Sequence, residues 1–391
     1  MNIYLKLSLA IMVGLIGAKV ARKFQLPNVT GYLLGGLILG PSLLNIITQA
    51  DKPVINFVND LALAAIAFNI GGAFSLKDLK KLGKEIFLIT LFEVVGVVLV
   101  VFLVMFLIFK QDLVFSLMVA SMSAATAPAG TMMVIQQYRA KGPLTDTILP
   151  VAALDDALGI MVFGFALSIS KILIGGQTDT HVAMLFLAPV FEIVLSLLLG
   201  LVLGWLFSRI SRHIKYQGDL LSLTLLLIFA STGLSYLLHL SPLLTNMMVG
   251  AVFVNLSLKP QRTFKLLNDT TPTLNLLFFA FAGASLDLSV LSQIGLLGFG
   301  YVLSRAVGKI SGATFGAKLA NSTKTIQKYL GIALLPQGGI SIGLSMTVAK
   351  ELPKYSNSIV TLILFSVLIF EIAGPILAKF ALNKAGELNL V

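Results

Sequence analysis

The sequence predicts an all-α polytopic membrane protein of 13 transmembrane helices, built as two six-helix repeats inserted in opposite orientations. Three observations lead there. Of 391 residues, 57% are hydrophobic and only 12% are charged, about half of the roughly 25% usual for soluble domains. Apolar stretches of about 20 residues, enough for one crossing of the hydrocarbon layer, follow one another along nearly the whole chain. Lysine and arginine alternate between dense and sparse loops, the pattern of a chain whose cytoplasmic loops hold the positive residues.

In chain order the expected spans are 3–22, 29–48, 54–74, 85–109, 113–137, 144–171, 182–208, 219–238, 242–257, 271–286, 290–318, 325–349 and 356–380. Each is mostly apolar and stops at a charged or Pro/Gly/Asn break. The first lacks the short apolar core and small-residue cleavage pattern of a signal peptide, and Arg22-Lys23 leads straight into the next span, so it is expected as a retained helix. Loops after odd-numbered spans, such as Lys77 to Lys84, Arg209 to Lys215 and Lys259 to Lys265, carry 20 basic residues; the opposite side carries six. A missed or invented span in mid-chain would scramble that division, so the amino terminus is expected outside and the carboxyl terminus in the cytoplasm. The net charge of +11 then belongs to the membrane topology and not to a nucleic-acid partner. Cysteine is absent, which excludes disulfides and thiolate chemistry, and three scattered histidines leave little for a zinc site.

The seventh span, 182–208, carries no motif and serves as a linker between repeats at about 3–171 and 219–380. Unusual features then fall at equivalent places. The fifth helix of the first repeat contains Ser123 to Gly130, with Thr126, Ala127 and Pro128; the fifth of the second contains Leu335-Pro336-Gln337-Gly338-Gly339. Proline and glycine remove a backbone hydrogen bond and loosen a helix. In hydrocarbon such breaks are tolerated only beside protein or a watery cavity. A kink without a ligand explains either one alone, but their symmetry points to a binding site, since paired broken helices mark the sites of inverted-repeat transporters.

Charges inside the spans sharpen this. Asp155-Asp156 lies near the middle of the sixth span, where each carboxylate costs a few kcal/mol and should face a cavity. Side chains of adjacent helical residues project about 100° apart, so one aspartate can meet a protein partner while the other faces the cavity. The natural partner is Lys309 in the eleventh span. Burial and a neighbouring carboxylate act on an ammonium in opposite senses, which makes Lys309 a candidate proton carrier. Arg305, one turn away, cannot deprotonate and is either a structural pair or a snorkelling side chain. Glu371, in the thirteenth span, is a second titrating group or a salt bridge pinning its repeat, with the structural role favoured. Asp60, Glu93 and Glu192 are expected as structural pairs or interface positions. An intramembrane aspartyl protease would need two aspartates converging from different helices, which adjacent residues cannot do.

The order of a broken Thr-x-Pro helix, an Asp-Asp helix, a Gly-Lys-x-x-Gly helix and a broken Pro-Gln-Gly-Gly helix resembles the monovalent cation:proton antiporters, the branch with NapA-type sodium/proton and Kef-type potassium/proton proteins. The stretch from Asn28 to Pro41 is similar to that family's second helix, and Glu371 to Pro375 to its last. The resemblance implies an NhaA-type fold and a homodimer. It also implies core helices (about 85–171 and 290–380) moving like an elevator against dimerisation helices (mainly 3–48 and 182–257). It places the ion site on Asp156, with Asp155 paired to Lys309, between crossed unwound stretches at Thr126 to Gly130 and Pro336 to Gly339. Two features depart from the family. Phe68-Asn69-Ile70-Gly71-Gly72 stands where many relatives have Gly-Leu-Glu, so an acidic residue is missing. The sequence runs only about ten residues past the last span, so regulation by a nucleotide-binding domain is expected from a separate subunit, which favours sodium over potassium.

The expected activity is exchange of Na⁺ or Li⁺ for H⁺ across a bacterial or archaeal plasma membrane, serving pH homeostasis. No cofactor or chemical bond-making is expected. Asp156 and the Thr126 hydroxyl would hold the cation with carbonyls of the broken helices, and the family analogy favours two protons per sodium. The rival functions are potassium/proton antiport and sodium-coupled solute symport.

Overall fold

The computed structural model describes residues 1–24, 28–127, 131–132, 134–135, 138–174, 182–286 and 288–388. Among them are fifteen α-helices and no strand: α1 (Ile3–Lys23), α2 (Asn28–Leu39), α3 (Lys52–Gly72), α4 (Leu76–Leu103), α5 (Leu113–Ser121), α6 (Pro143–Ile174), α7 (Val182–Ser211), α8 (Gln217–Leu237), α9 (Pro242–Leu256), α10 (Pro260–Thr270), α11 (Pro272–Ala284), α12 (Leu288–Leu319), α13 (Lys324–Ala333), α14 (Gly339–Glu351) and α15 (Ser356–Lys384).

Among the described residues, fifteen helices stand where thirteen spans are expected, for local reasons. The twelfth span divides into α13 and α14, because Leu334 to Gly338 are not helical. A short helix not expected from apolar length, α10, starts at Pro260 and buries Thr263 and Leu267 while keeping its charged residues outward. The fifth span is helical only to Ser121 before its break. Among the described residues, seven helices are long and apolar enough to cross a membrane, and α2, α9 and α11 are shorter apolar helices. Large apolar side chains stand exposed on the helix surfaces, including Leu15 and Ile16 on α1, Val202 and Trp205 on α7, and Leu303 on α12. Such continuous apolar faces need hydrocarbon around them.

The chain forms two compact units. One comprises residues 1–55, 82–159 and 276–391, the other 56–81 and 160–275. In the second, Phe68, Phe207, Phe253 and Phe264 make the core, with Phe207 and Phe253 centroids 4.4 Å apart. Asn246 is buried there and satisfied by Ser231, Thr232 and the Pro242 carbonyl.

In the first unit, α4 and α12 pack backbone to backbone. A Cβ built on Gly96 would lie 2.8 Å from the Gly312 Cα, and one on Gly312 would lie 3.0 Å from the Glu93 Cα. Gly308, Gly312 and Gly316 recur every four residues, which puts the smallest residues on one helix face and lets another helix approach closely. This contact sets Glu93 against the middle of α12.

The start of α6, the helix of Asp155-Asp156, is held from the far end of the chain. Glu387 accepts from the Leu144 and Thr145 amides at 2.8 Å each and from the Thr145 hydroxyl at 2.7 Å, while its own carbonyl accepts from the Lys141 amide. A carboxylate there satisfies orphan amides and meets the positive end of the helix dipole. Replacing Glu387 with Ala is expected to destabilise the protein by about 1–2 kcal/mol, read as a lower Tm of purified protein in detergent. An unchanged Tm would show that the cap is not used.

Candidate functional site at two helix breaks

Two interruptions face each other in the first unit. After α5 the chain leaves helical geometry through Met122 to Ala127, and between α13 and α14 it does so through Leu334 to Gly338. The Ala127 amide donates to the Pro336 carbonyl at 2.9 Å, and the Thr131 hydroxyl to the Ala333 carbonyl at 3.0 Å. Gly338 is needed at this meeting, because a Cβ on it would sit 2.6 Å from the Ala127 Cβ. Pro128, Ala129 and Gly130, expected as part of the first break, lie outside the described residues.

Breaking two helices frees carbonyls that need donors. Arg305 supplies them. Its guanidinium donates to the Ser123 carbonyl at 2.9 Å, to Ala125 at 2.9 Å and to Leu335 at 2.6 Å, with its flat face over Phe370. Of the two expected roles, a snorkelling chain is excluded because Arg305 is fully buried; its role is structural, with backbone carbonyls as partners, and it ties one break to the other. A neutral network completes the second break. Gln337 donates to Tyr301 and Ser341, its carbonyl accepts from Ser366, and the Ser341 hydroxyl donates to the Met122 carbonyl.

The charged cluster sits against the first break. Lys309 donates to the Ala124 carbonyl at 2.5 Å and to Asp155 Oδ2 at 3.2 Å, and its Nζ is 2.5 Å from Glu93 Oε1. Asp155 also accepts from the Thr126 hydroxyl. Asp156 accepts instead from the Thr126 backbone amide, at 3.2 Å from Oδ1. The Thr126 hydroxyl, expected at Asp156, is thus directed to Asp155. Lys309, Glu93 and Asp155 have no exposed surface, whereas Asp156 keeps 7%. No ion pair of Asp156 is found among the described residues, in contrast to Glu93 and Asp155. The roughly 100° between adjacent helical side chains produces this division of labour on α6.

Glu93, expected as a structural pair or interface position, is the member of the cluster whose partner the sequence did not identify. Its only signal was a carboxylate deep in an apolar span with Gly96 one turn on, and pairing it with Lys309 required knowing that this face meets the Gly308-Gly312 face. Glu371 is buried on α15, and a Cβ on Gly338 would lie 3.0 Å from its Oε1. It flanks the second break, with no ion pair among the described residues. Glu192 accepts from the Ser168 hydroxyl in the second unit.

Among the described residues the protein is helical and apolar, with a buried charge cluster at two opposed helix breaks, which is the arrangement of an integral membrane transport protein. The family described as "Sodium/hydrogen exchanger, transmembrane" matches residues 7–383, and the chain belongs to it. The chain is similar to the high-affinity Na⁺/H⁺ antiporter NhaS3 of Synechocystis, 22% identical over 84% of this chain and 78% of that one. It is also similar to a Na⁺/H⁺ antiporter of Enterococcus hirae, 21% identical over 97% of both. The fold matches the solved structure of the sodium proton antiporter MjNhaP1 from Methanocaldococcus jannaschii with a TM-score of 0.80 at 18% identity, covering 99% of this chain and 98% of that one.

The cluster makes a stability prediction. Removing one partner of a buried ion pair leaves uncompensated charge and costs about 3–5 kcal/mol, so Lys309→Met is expected to lower the Tm severely. Adding Glu93→Gln to that variant should recover part of the loss. Equal Tm values for the single and double variants would show that Glu93 does not depend on Lys309.

Proposed function

We propose that the chain is a secondary active antiporter that exchanges Na⁺ or Li⁺ for H⁺, with Asp156 as the group both ions share. One observation carries the reading: the two breaks meet beside an Asp156 carboxylate that has an amide partner and, among the described residues, no cationic one. A dehydrated monovalent cation needs hard oxygen ligands, and the carboxylate with carbonyls of the broken segments supplies that class of donor. A proton neutralises the same carboxylate. Alternating access follows if the mobile part moves only when Asp156 is neutral, whichever ion does it.

The transport cycle is proposed on the inverted-repeat plan: thirteen spans, repeats at about 3–171 and 219–380 with crossed broken helices, and the linker helix 182–208. Core helices at about 85–171 and 290–380 move as an elevator against dimerisation helices, mainly 3–48 and 182–257, in a homodimer. The amino terminus is outside and the carboxyl terminus cytoplasmic, which the 20-to-6 division of basic residues supports. The role is pH homeostasis at a bacterial or archaeal plasma membrane.

Electrogenic exchange is proposed with one modification from the sequence reading. Glu93 stands beside Lys309 along with Asp155, so the lysine would keep a counterion if its pair with Asp155 opened during transport. Any second proton belongs to the Glu93-Lys309-Asp155 cluster as a coupled unit.

Asp156→Asn is expected to abolish sodium-driven proton movement in proteoliposomes while leaving folded protein, because an amide neither titrates nor balances a cation. Asp155→Asn should give a milder loss. Near-normal exchange by Asp156→Asn would refute the site. The Glu93→Gln, Lys309→Gln double variant leaves the net buried charge unchanged, and its sodium-evoked current on a supported membrane is expected to carry less charge per sodium than the wild type. An unchanged ratio would remove this cluster from the proton count.

A further inference from the structure

The second unit holds a feature that ion exchange does not use. A cleft of about 870 Å³ opens where the loop after α3 meets the loop after α9, and Lys77, Lys265, Asn69, Asn268 and Gln261 line it, with Phe264 in its wall. Among the described lining residues, two are lysines and none is a carboxylate. Helix dipoles do not decide its sign. The starts of α4 at Leu76 and α10 at Pro260 are matched by the ends of α3 at Gly72 and α9 at Leu256, so the ammonium groups dominate.

The walls are fixed before any ligand arrives. Phe264 packs on Phe68 and Phe253, with centroids 5.0 and 6.0 Å away, and buried Leu267 anchors α10 beside them. Asn69 donates to Asn268 at 3.0 Å, bridging α3 to α10, while Asn255 accepts from the Leu76 amide and donates to the Phe74 carbonyl. More positive charge borders the cleft. Arg212 donates to the Leu256 carbonyl and Arg262 to the Lys215 carbonyl, which draws the basic loop after α7 to the same edge.

We propose that this cleft binds a phosphate-bearing anion, held by Lys77 and Lys265 with amide donors from Asn268 and Gln261. Two ammonium groups suit an oxyanion with several acceptor oxygens. The volume exceeds what one inorganic phosphate fills, which fits a diphosphate or the headgroup of an anionic lipid. Basic residues next to apolar spans attract anionic lipid, whereas a free diphosphate needs only the open mouth. The two sources share their chemistry and differ in what delivers it.

The test uses the purified full chain and reads binding, so it stands apart from whether the protein exchanges sodium. Pyrophosphate is titrated into protein in neutral detergent, and in parallel the protein is placed in nanodiscs of phosphatidylcholine with or without phosphatidylglycerol; the readouts are Tm and native mass spectrometry. Lys77→Gln with Lys265→Gln is compared with Lys318→Gln and Lys324→Gln, an equal charge loss in the first unit, outside the cleft. The expected result is saturable stabilisation by at least one probe, weakened about tenfold or more in the cleft variant and little changed in the control. Stabilisation by pyrophosphate identifies a soluble anion, and stabilisation by phosphatidylglycerol alone identifies a lipid headgroup. Binding of neither probe, or equal weakening in both variants, overturns the proposal.

Discussion

The Lys309 ammonium has no exposed surface and two carboxylates within 3.2 Å, and much of the surrounding architecture follows from keeping that arrangement intact. A charge removed from water costs far more than it returns unless partners and hydrogen bonds replace the lost hydration. Glu93 reaches it because glycines on α12 let α4 approach to backbone contact. Asp155 reaches it because α6 is pinned at its start by Glu387. The Ala124 carbonyl reaches it because α5 has ended three residues earlier. Lys309 is therefore the point where a helix–helix contact, a helix cap and a helix break all converge.

The breaks impose a second demand. Freed carbonyls within an apolar protein must find donors, and three of them, from both breaks, are collected by Arg305 alone. This leaves Arg305 engaged with backbone and Lys309 engaged with carboxylates, so the two cations of α12 have separate tasks one turn apart. Asp156 is the remainder of this accounting. Its neighbour on α6 is committed, both cations are committed, and it alone retains some exposure. Buried charge concentrates where function is expected.

The spans were legible because each needs its own run of apolar residues, and the boundaries of α1, α6, α8 and α9 fall within a few residues of those read from hydropathy. The broken helices were legible from Pro336 and Gly338 and from the Thr126 stretch. Adjacent aspartates with a distant lysine were legible because buried charge demands a partner. Three things were not. α10 is amphipathic and too short for a span, so an apolar-length criterion passes over it. Glu93 and Lys309 are more than two hundred residues apart in sequence, and only the packing of α4 on α12 joins them. Arg305 bonds to carbonyls that exist as acceptors only because the helices break, information carried by no side-chain pattern.

The most direct test of the central claim, that one carboxylate takes either a sodium ion or a proton, is calorimetric titration of the purified protein with sodium over a range of pH in buffers of different ionisation enthalpy. Competition predicts that sodium binding weakens steadily as pH falls and that each binding event releases protons to the buffer, with both effects lost in Asp156→Asn. Sodium affinity that stays constant across the pH range, with no proton release, would contradict it.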